Sequence, residues 1–191
     1  MASTESHRPI DRERRSKIID ATIEVLAEHG VQGLRHRRVA EAAGVPLGAT
    51  TYYFASLDDL LEAAMARAVA RDLERLAARL ERAEGDDGLV EALVELLLEA
   101  TSSGRDSEIV SSELYAAALR KEGLREVVIR WDEGWAQLLA PRLGRRRARL
   151  LSIAVGGLLQ QELIRGGAPA RDELRELIRL LVIMDRRGST G

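Results

Sequence analysis

The run His36–Tyr53, HRRVAEAAGVPLGATTYY, decides how this chain folds. It holds two short helical stretches, 36–43 and 47–53, parted by Gly44-Val45-Pro46. Ala40 and Ala43 are small enough to let two helices cross closely. Gly44 can take the left-handed backbone that a tight interhelical turn requires, and the apolar Val45 follows it. This is the pattern of a helix-turn-helix, although a plain helical hairpin carries the same residues. In a DNA-reading unit of this kind the second helix enters the major groove, about 12 Å wide, and turns its N-terminal residues to base edges. That face would be Pro46, Leu47, Gly48, Ala49, Thr50, Thr51, Tyr52 and Tyr53. Glycine and alanine permit close approach. Threonine can touch a thymine methyl or a phosphate, and tyrosine hydroxyls reach phosphates.

On either side of this run nearly everything reads as helix with brief breaks, so the fold class is all-α with about nine helices. A helix over 11–29 places Ile18, Ile19, Ala21, Thr22, Val25 and Leu26 on one side and closes at Gly30. Ser56, with Asp59 three residues on, forms a capping box that opens a long helix to about Ala83. Gly85-Asp86-Asp87-Gly88 reads as a turn. Further helices are predicted near 89–102, 106–121, 123–140, 145–165 and 170–186, with Pro141 following the third of these. The last carries an apolar stripe of Leu174, Leu177, Ile178, Leu181 and Val182 at helical spacing.

Composition narrows the function. The 191 residues include only 3% aromatics and no cysteine, which excludes disulfides, zinc-thiolate sites and thiol chemistry. The weakly polar run Leu150–Leu159 is about half of the ~20 residues that cross a bilayer, and the N-terminus lacks a signal-peptide apolar region, so a cytoplasmic protein without membrane contact is expected. The net charge of −2 argues at first against nucleic acid, but the cations are clustered. Arg8, Arg12, Arg14, Arg15 and Lys17 form one group, and Arg35, His36, Arg37 and Arg38 another. Phosphate binding needs such local patches and not a basic whole protein. No metal-spaced histidine set, glycine-rich phosphate loop or Ser-His-Asp set is present, so no enzyme, metal or cofactor is expected. A helical interaction protein without DNA binding is the other class.

Residues 17–60, KIIDATIEVLAEHGVQGLRHRRVAEAAGVPLGATTYYFASLDDL, resemble the DNA-binding region of the TetR family of transcriptional regulators. The resemblance runs without gaps through Tyr52–Leu60. It implies an arm over 1–10, a three-helix helix-turn-helix domain over 11–55, and a helical bundle over 56–191 that binds a ligand and dimerises. It also implies a repressor whose homodimer grips a palindromic double-stranded operator and lets go when a small-molecule effector binds. Three positions depart from the family pattern. Arg35 stands where Ser or Thr usually caps, Thr51 where tyrosine is common, and Leu57 where a phosphate-binding lysine is common. Arg35, Arg37 and the arginine-rich arm are then expected to compensate with phosphate contacts, and His36 is counted with them among the DNA-binding residues.

Tyr115, Trp131 and Trp135 are three of the few aromatics. The tryptophans share a helix face at i, i+4, so these three and Gln160 are candidates to line a ligand cavity. Asp132 and Glu133 read as a solvated face, and Arg145–Arg147 as solvated cations. By the resemblance the last two helices form the dimer interface, with Ala154, Gly157, Gln161, Leu174, Leu177, Ile178 and Leu181 as its candidates.

Overall fold

The computed structural model describes residues 9–166 and 170–183. Among these residues the chain forms nine α-helices and no strand. They are α1 (Pro9–His29), α2 (His36–Ala43), α3 (Leu47–Tyr53), α4 (Leu57–Arg82), α5 (Gly85–Thr101), α6 (Arg105–Ala118), α7 (Glu122–Leu143), α8 (Arg145–Arg165) and α9 (Arg171–Ile183). A short 3-10 turn, Val31–Gly33, joins α1 to α2. No helix among the described residues is long and apolar enough to cross a membrane.

The chain forms two compact units, Met1–Ala68 and Val69–Gly191. The division falls inside α4, later than the boundary expected after residue 55. Arg67 shows why the start of α4 belongs with the N-terminal unit. Its guanidinium donates to Ser16 Oγ at 2.6 Å and to the Asp20 carboxylate at 3.1 and 3.2 Å, both on α1. Of the arm expected over 1–10, residues 1–8 lie outside the described residues, and Pro9 and Ile10 already begin α1. Proline suits a first helical turn, where its missing N–H costs nothing.

In the N-terminal unit, Ile18, Ala21, Thr22, Val25 and Leu26 of α1 are all at most 3% exposed, as their spacing predicts. Thr22 satisfies its buried hydroxyl by donating to the Ile18 carbonyl at 2.7 Å. The turn after α2 closes as its sequence predicts. Gly44 sits at φ 63°, ψ 35°, and the Val45 N–H reaches back to the Ala40 carbonyl at 3.0 Å. The capping box forms in both directions: Asp59 N–H donates to Ser56 Oγ at 3.0 Å, and Ser56 N–H to Asp59 Oδ2 at 3.1 Å.

The C-terminal unit is built around Leu76, Leu93, Leu97, Leu139, Leu151 and Ile178, each 1% exposed or less and drawn from α4, α5, α7, α8 and α9. Burying each such side chain contributes roughly 1.5–3 kcal/mol before entropy is charged against it. Two breaks differ from expectation. Gly85-Asp86-Asp87-Gly88 is the first turn of α5, because the chain breaks at Ala83-Glu84 and the two aspartates complement the positive end of the helix dipole. Helix α7 runs past Pro141 to Leu143, since Leu139 and Leu143 on its inner face are 0% and 6% exposed and hold the last turn in place.

Candidate functional site

In the helix-turn-helix, α3 presents one face and buries the other. Leu47 (50% exposed) and Tyr52 (78% exposed) stand out to solvent with Pro46, Gly48 and Thr51. Ala49 is half-buried. Thr50 is not on that face: it is fully buried, with its hydroxyl donating to the Leu47 carbonyl at 2.8 Å. A seven-residue helix has to dock on its neighbour through something, and Thr50 is the residue turned inward. Tyr53 is also engaged within the protein. Its hydroxyl donates to Asp11 Oδ1 at 2.8 Å, which raises its pKa above the ordinary phenol value and ties α3 to α1. Thus Thr50 and Tyr53 position the reading helix, and Leu47, Gly48, Thr51 and Tyr52 are left to meet a partner.

Beside this face, Arg35 makes no side-chain cap for α2. Its guanidinium donates to the Gln32 carbonyl at 3.0 Å and the Leu34 carbonyl at 2.6 Å. Arg37 pairs with Glu41 at 3.1 Å on the surface. An exposed pair of this kind is worth about 0–1 kcal/mol, so the Arg37 guanidinium is held only loosely. His36 is half-buried, with Nδ1 turned inward and unpartnered among the described residues.

In the C-terminal unit, α4 to α8 line an open cavity of about 1020 Å³, just above the ~300–1,000 Å³ range of small-molecule sites. Tyr115, Trp131, Trp135 and Gln160 all line it. The Tyr115 and Trp131 rings lie 5.6 Å apart between centroids and form a tilted wall. Both indole N–H groups converge on one oxygen, Asp72 Oδ2, at 2.7 Å from Trp131 and 3.2 Å from Trp135. Gln160 Oε1 accepts from Ser112 at 2.9 Å. Asp132 and Glu133 are not simply a solvated face: both line the cavity, and Asp132 accepts the Tyr115 hydroxyl.

Several cavity residues were not legible as such. Asp72 sits on α4, 59 positions from Trp131. Glu108 on α6 lies in the wall, where burial and then the nearby charge of Asp72 push its carboxyl up to about 7. Gly134 explains how α7 comes close enough to α4 for the two indoles to reach one carboxylate. A Cβ there would lie 2.5 Å from Leu73 Cδ1. The only local signal was a glycine set between two tryptophans in a helical run.

On α8 and α9 the interface candidates divide. Leu174 and Ile178 are 2% and 0% exposed, and Leu181 packs partly against the same core. This corrects their assignment: the terminal helix uses that stripe to dock on its own domain. Ala154 is half-buried, while Gly157 and Gln161 are exposed and Leu177 is 37% exposed. Around them stand Leu150, Ile153 and Ile164 on α8 and Leu180 and Ile183 on α9, all exposed. Arg147 is not solvated either; it donates to the Val182 carbonyl near the end of α9.

Comparison with known proteins places both units. Residues 18–64 match the family described as bacterial regulatory proteins, tetR family, and residues 84–183 match the tetracyclin repressor-like C-terminal domain. The HTH-type transcriptional regulator PksA of Bacillus subtilis is 46% identical over 57 residues, which is 29% of this chain and 28% of PksA. A similar partial match, 41% identity over 73 residues and 37% of the relative, is found with the regulator BetI of Burkholderia thailandensis. The chain thus matches about a third of the length of these curated relatives. Solved structures match further. A TetR-family member from Streptomyces coelicolor A3 is 40% identical with a TM-score of 0.74, over 88% of this chain and 98% of that one. The multidrug binding protein EbrR, solved with ethidium, is 40% identical with a TM-score of 0.77 over the same shares. EbrR has also been solved with proflavin and with malachite green. With its N-terminal helix-turn-helix and its helical C-terminal domain both matched, the chain belongs to the TetR family of DNA-binding transcriptional regulators.

Proposed function

We propose that this chain is a repressor that binds a palindromic operator as a homodimer and releases it when a small organic cation fills the α4–α8 cavity. The observation that carries the reading is the pairing, in one chain, of an exposed reading face on α3 with a cavity whose wall is both aromatic and acidic. Asp72, Glu99, Glu108, Asp132 and Glu133 line it against Arg75, Arg79 and Arg149. Arg79 is paired with Glu99 at 2.6 Å, which leaves four carboxyl groups facing two guanidiniums. An indole and phenol wall attracts a flat cation through its ring faces as well as its apolar area. The likeness to EbrR, solved with ethidium, supports the same class of ligand.

Dimerisation is supported by the exposed apolar stripe on α8 and α9 and by Gly157, where an added Cβ would meet nothing within 4 Å. Two reading helices about 34–36 Å apart would enter successive major grooves of a palindrome. Helix α4 runs unbroken from the capping box beside the reading unit to Asp72, Arg75 and Arg79 in the cavity wall. A ligand acting through it shifts the DNA equilibrium by its differential affinity for the two states and by no more.

The test is selection of duplexes from a random pool, with a Thr51→Ala/Tyr52→Ala variant as control, followed by titration of the selected duplex with ethidium. The expected outcome is one palindrome recovered by the wild type alone and released by ethidium. A proven dimer that enriches no symmetric site at low salt would overturn the repressor reading, because phosphate contacts bind most tightly there.

A further inference from the structure

The acidic side of the cavity holds two carboxyl groups in unlike settings. Asp72 accepts two indole N–H groups fixed on α7, so donors meet its charge. Glu108 faces the opposite case. Burial acts on it first, the negative charge of Asp72 second, and Arg75 offsets these only weakly, so that it titrates near neutrality at about 7. The other charges around the cavity are largely committed. Glu99 of α5 pairs with Arg79 of α4, and Asp132 of α7 accepts the hydroxyl of Tyr115 on α6. Glu133 of α7 and Arg149 of α8 complete the lining charges. Glu108 and Tyr115 stand on one face of α6, seven residues and so about 10 Å apart along the axis. Glu108, Asp72, Tyr115 and Trp131 line the same cavity, so a flat molecule stacked on the Tyr115–Trp131 wall shares that space with Glu108.

We propose that Glu108 is the residue by which the cavity selects for charge: it carries a proton while the cavity is empty and releases it to solvent when a planar organic cation seats against the Tyr115–Trp131 wall. The inference rests on the cationic-effector reading given above. One proton leaves for each cation that enters, so the acidic side of the cavity keeps the same net charge before and after binding. A neutral ligand of the same shape leaves the proton where it is. The cavity thus admits a cation without holding a second buried anion beside Asp72 while it waits.

The experiment is calorimetric titration of the full chain with ethidium, in buffers of different ionisation enthalpy, at about pH 6 and about pH 8, with uncharged phenanthridine as the comparison. Ethidium affinity is expected to be about tenfold higher at the upper pH, with proton release approaching one per ligand at the lower pH and close to none at the upper. Phenanthridine should show neither effect. Glu108→Gln should abolish the proton release and flatten the pH profile, and Glu108→Asp should restore both with a displaced midpoint. Carbon-13 titration of the glutamate carboxyls in the ligand-free protein should show one titrating near neutrality that is missing from Glu108→Gln. Ethidium that binds with proton release unchanged in Glu108→Gln, or with none in the wild type, overturns this inference alone. Ethidium that binds at neither pH overturns the cationic-effector reading and this inference with it.

Discussion

At the residue scale, single side chains in this protein are assigned by what their polar atoms meet. Thr50 and Thr51 are chemically identical neighbours. One is buried with its hydroxyl returned to the Leu47 carbonyl, and the other is exposed, donating to the Gly48 carbonyl at 3.2 Å. Glu108 is the sharper case, since its setting raises its carboxyl from the usual 4.5 to about 7. Because the folded value lies above the unfolded one, the protonated carboxyl supports the fold fully below about 4.5 and that support is lost as pH rises through about 7. Glu108→Gln keeps the neutral form at every pH. The variant should match the wild type in stability at low pH and exceed it above neutrality by on the order of 1–3 kcal/mol, with a correspondingly higher thermal midpoint there. Thermal melts at a series of pH values check this, and equal midpoints above neutrality would show that Glu108 ionises without cost.

At the scale of elements, helices here are placed by a few contacts that their own sequences do not contain. Helix α9 lies on α5 through Leu174, Ile178 and Val182, and a row of ion pairs borders that seam. Arg175 reaches Glu91 at 2.5 Å, Arg171 reaches the same carboxylate at 3.4 Å, and Arg179 reaches Asp87 at 2.9 Å. The Arg175 hydrogen bond holds Glu91 below the usual carboxylate range. Helix α3 offers a different lesson. An added Cβ at Gly48 meets nothing within 4 Å, so the protein's own packing does not require glycine there. Its lack of a side chain instead leaves room for whatever approaches the exposed face of the helix. Gly48→Ala should leave the thermal midpoint unchanged or slightly raised, since alanine favours helix by up to about 1 kcal/mol. It should weaken operator binding by roughly tenfold, the size of one lost base-edge contact. Fluorescence anisotropy with the selected duplex measures this, and unchanged affinity would mean that DNA keeps its distance from Gly48.

At the scale of the whole molecule, what stands out is an apolar surface that none of the described residues covers. Ile153 and Leu180 are 63% and 58% exposed, and Leu150, Gly157, Gln161 and Ile164 continue the α8 face at helical spacing. Two copies of this surface related by a twofold axis would make a four-helix bundle. Ile164→Asp with Leu180→Asp places a charge on each helix at exposed sites outside both the core and the cavity lining. Sedimentation equilibrium should therefore show a helical monomer for this variant and, on the proposed reading, a dimer for the wild type. Persistence of the dimer would move the interface away from α8 and α9.

The sequence by itself determined what depends on neighbours along the chain. Gly44, the Ser56–Asp59 capping box and the spacing of Ile18, Thr22 and Val25 each act within a few residues, so the helix-turn-helix was legible from them. The aromatic wall of the cavity was legible in part, because Tyr115, Trp131 and Trp135 are rare residue types in this chain and two share a helix face. Only the tertiary structure decided the rest. Asp72, Glu108 and Gly134 acquire their roles from helices far away in sequence, and nothing local distinguishes Glu108 from a surface glutamate. The stripe on α9 shows the same limit. Its period predicts an apolar face, but whether Leu174 and Ile178 meet their own domain or a partner depends on where α5 lies, and α5 lies against them.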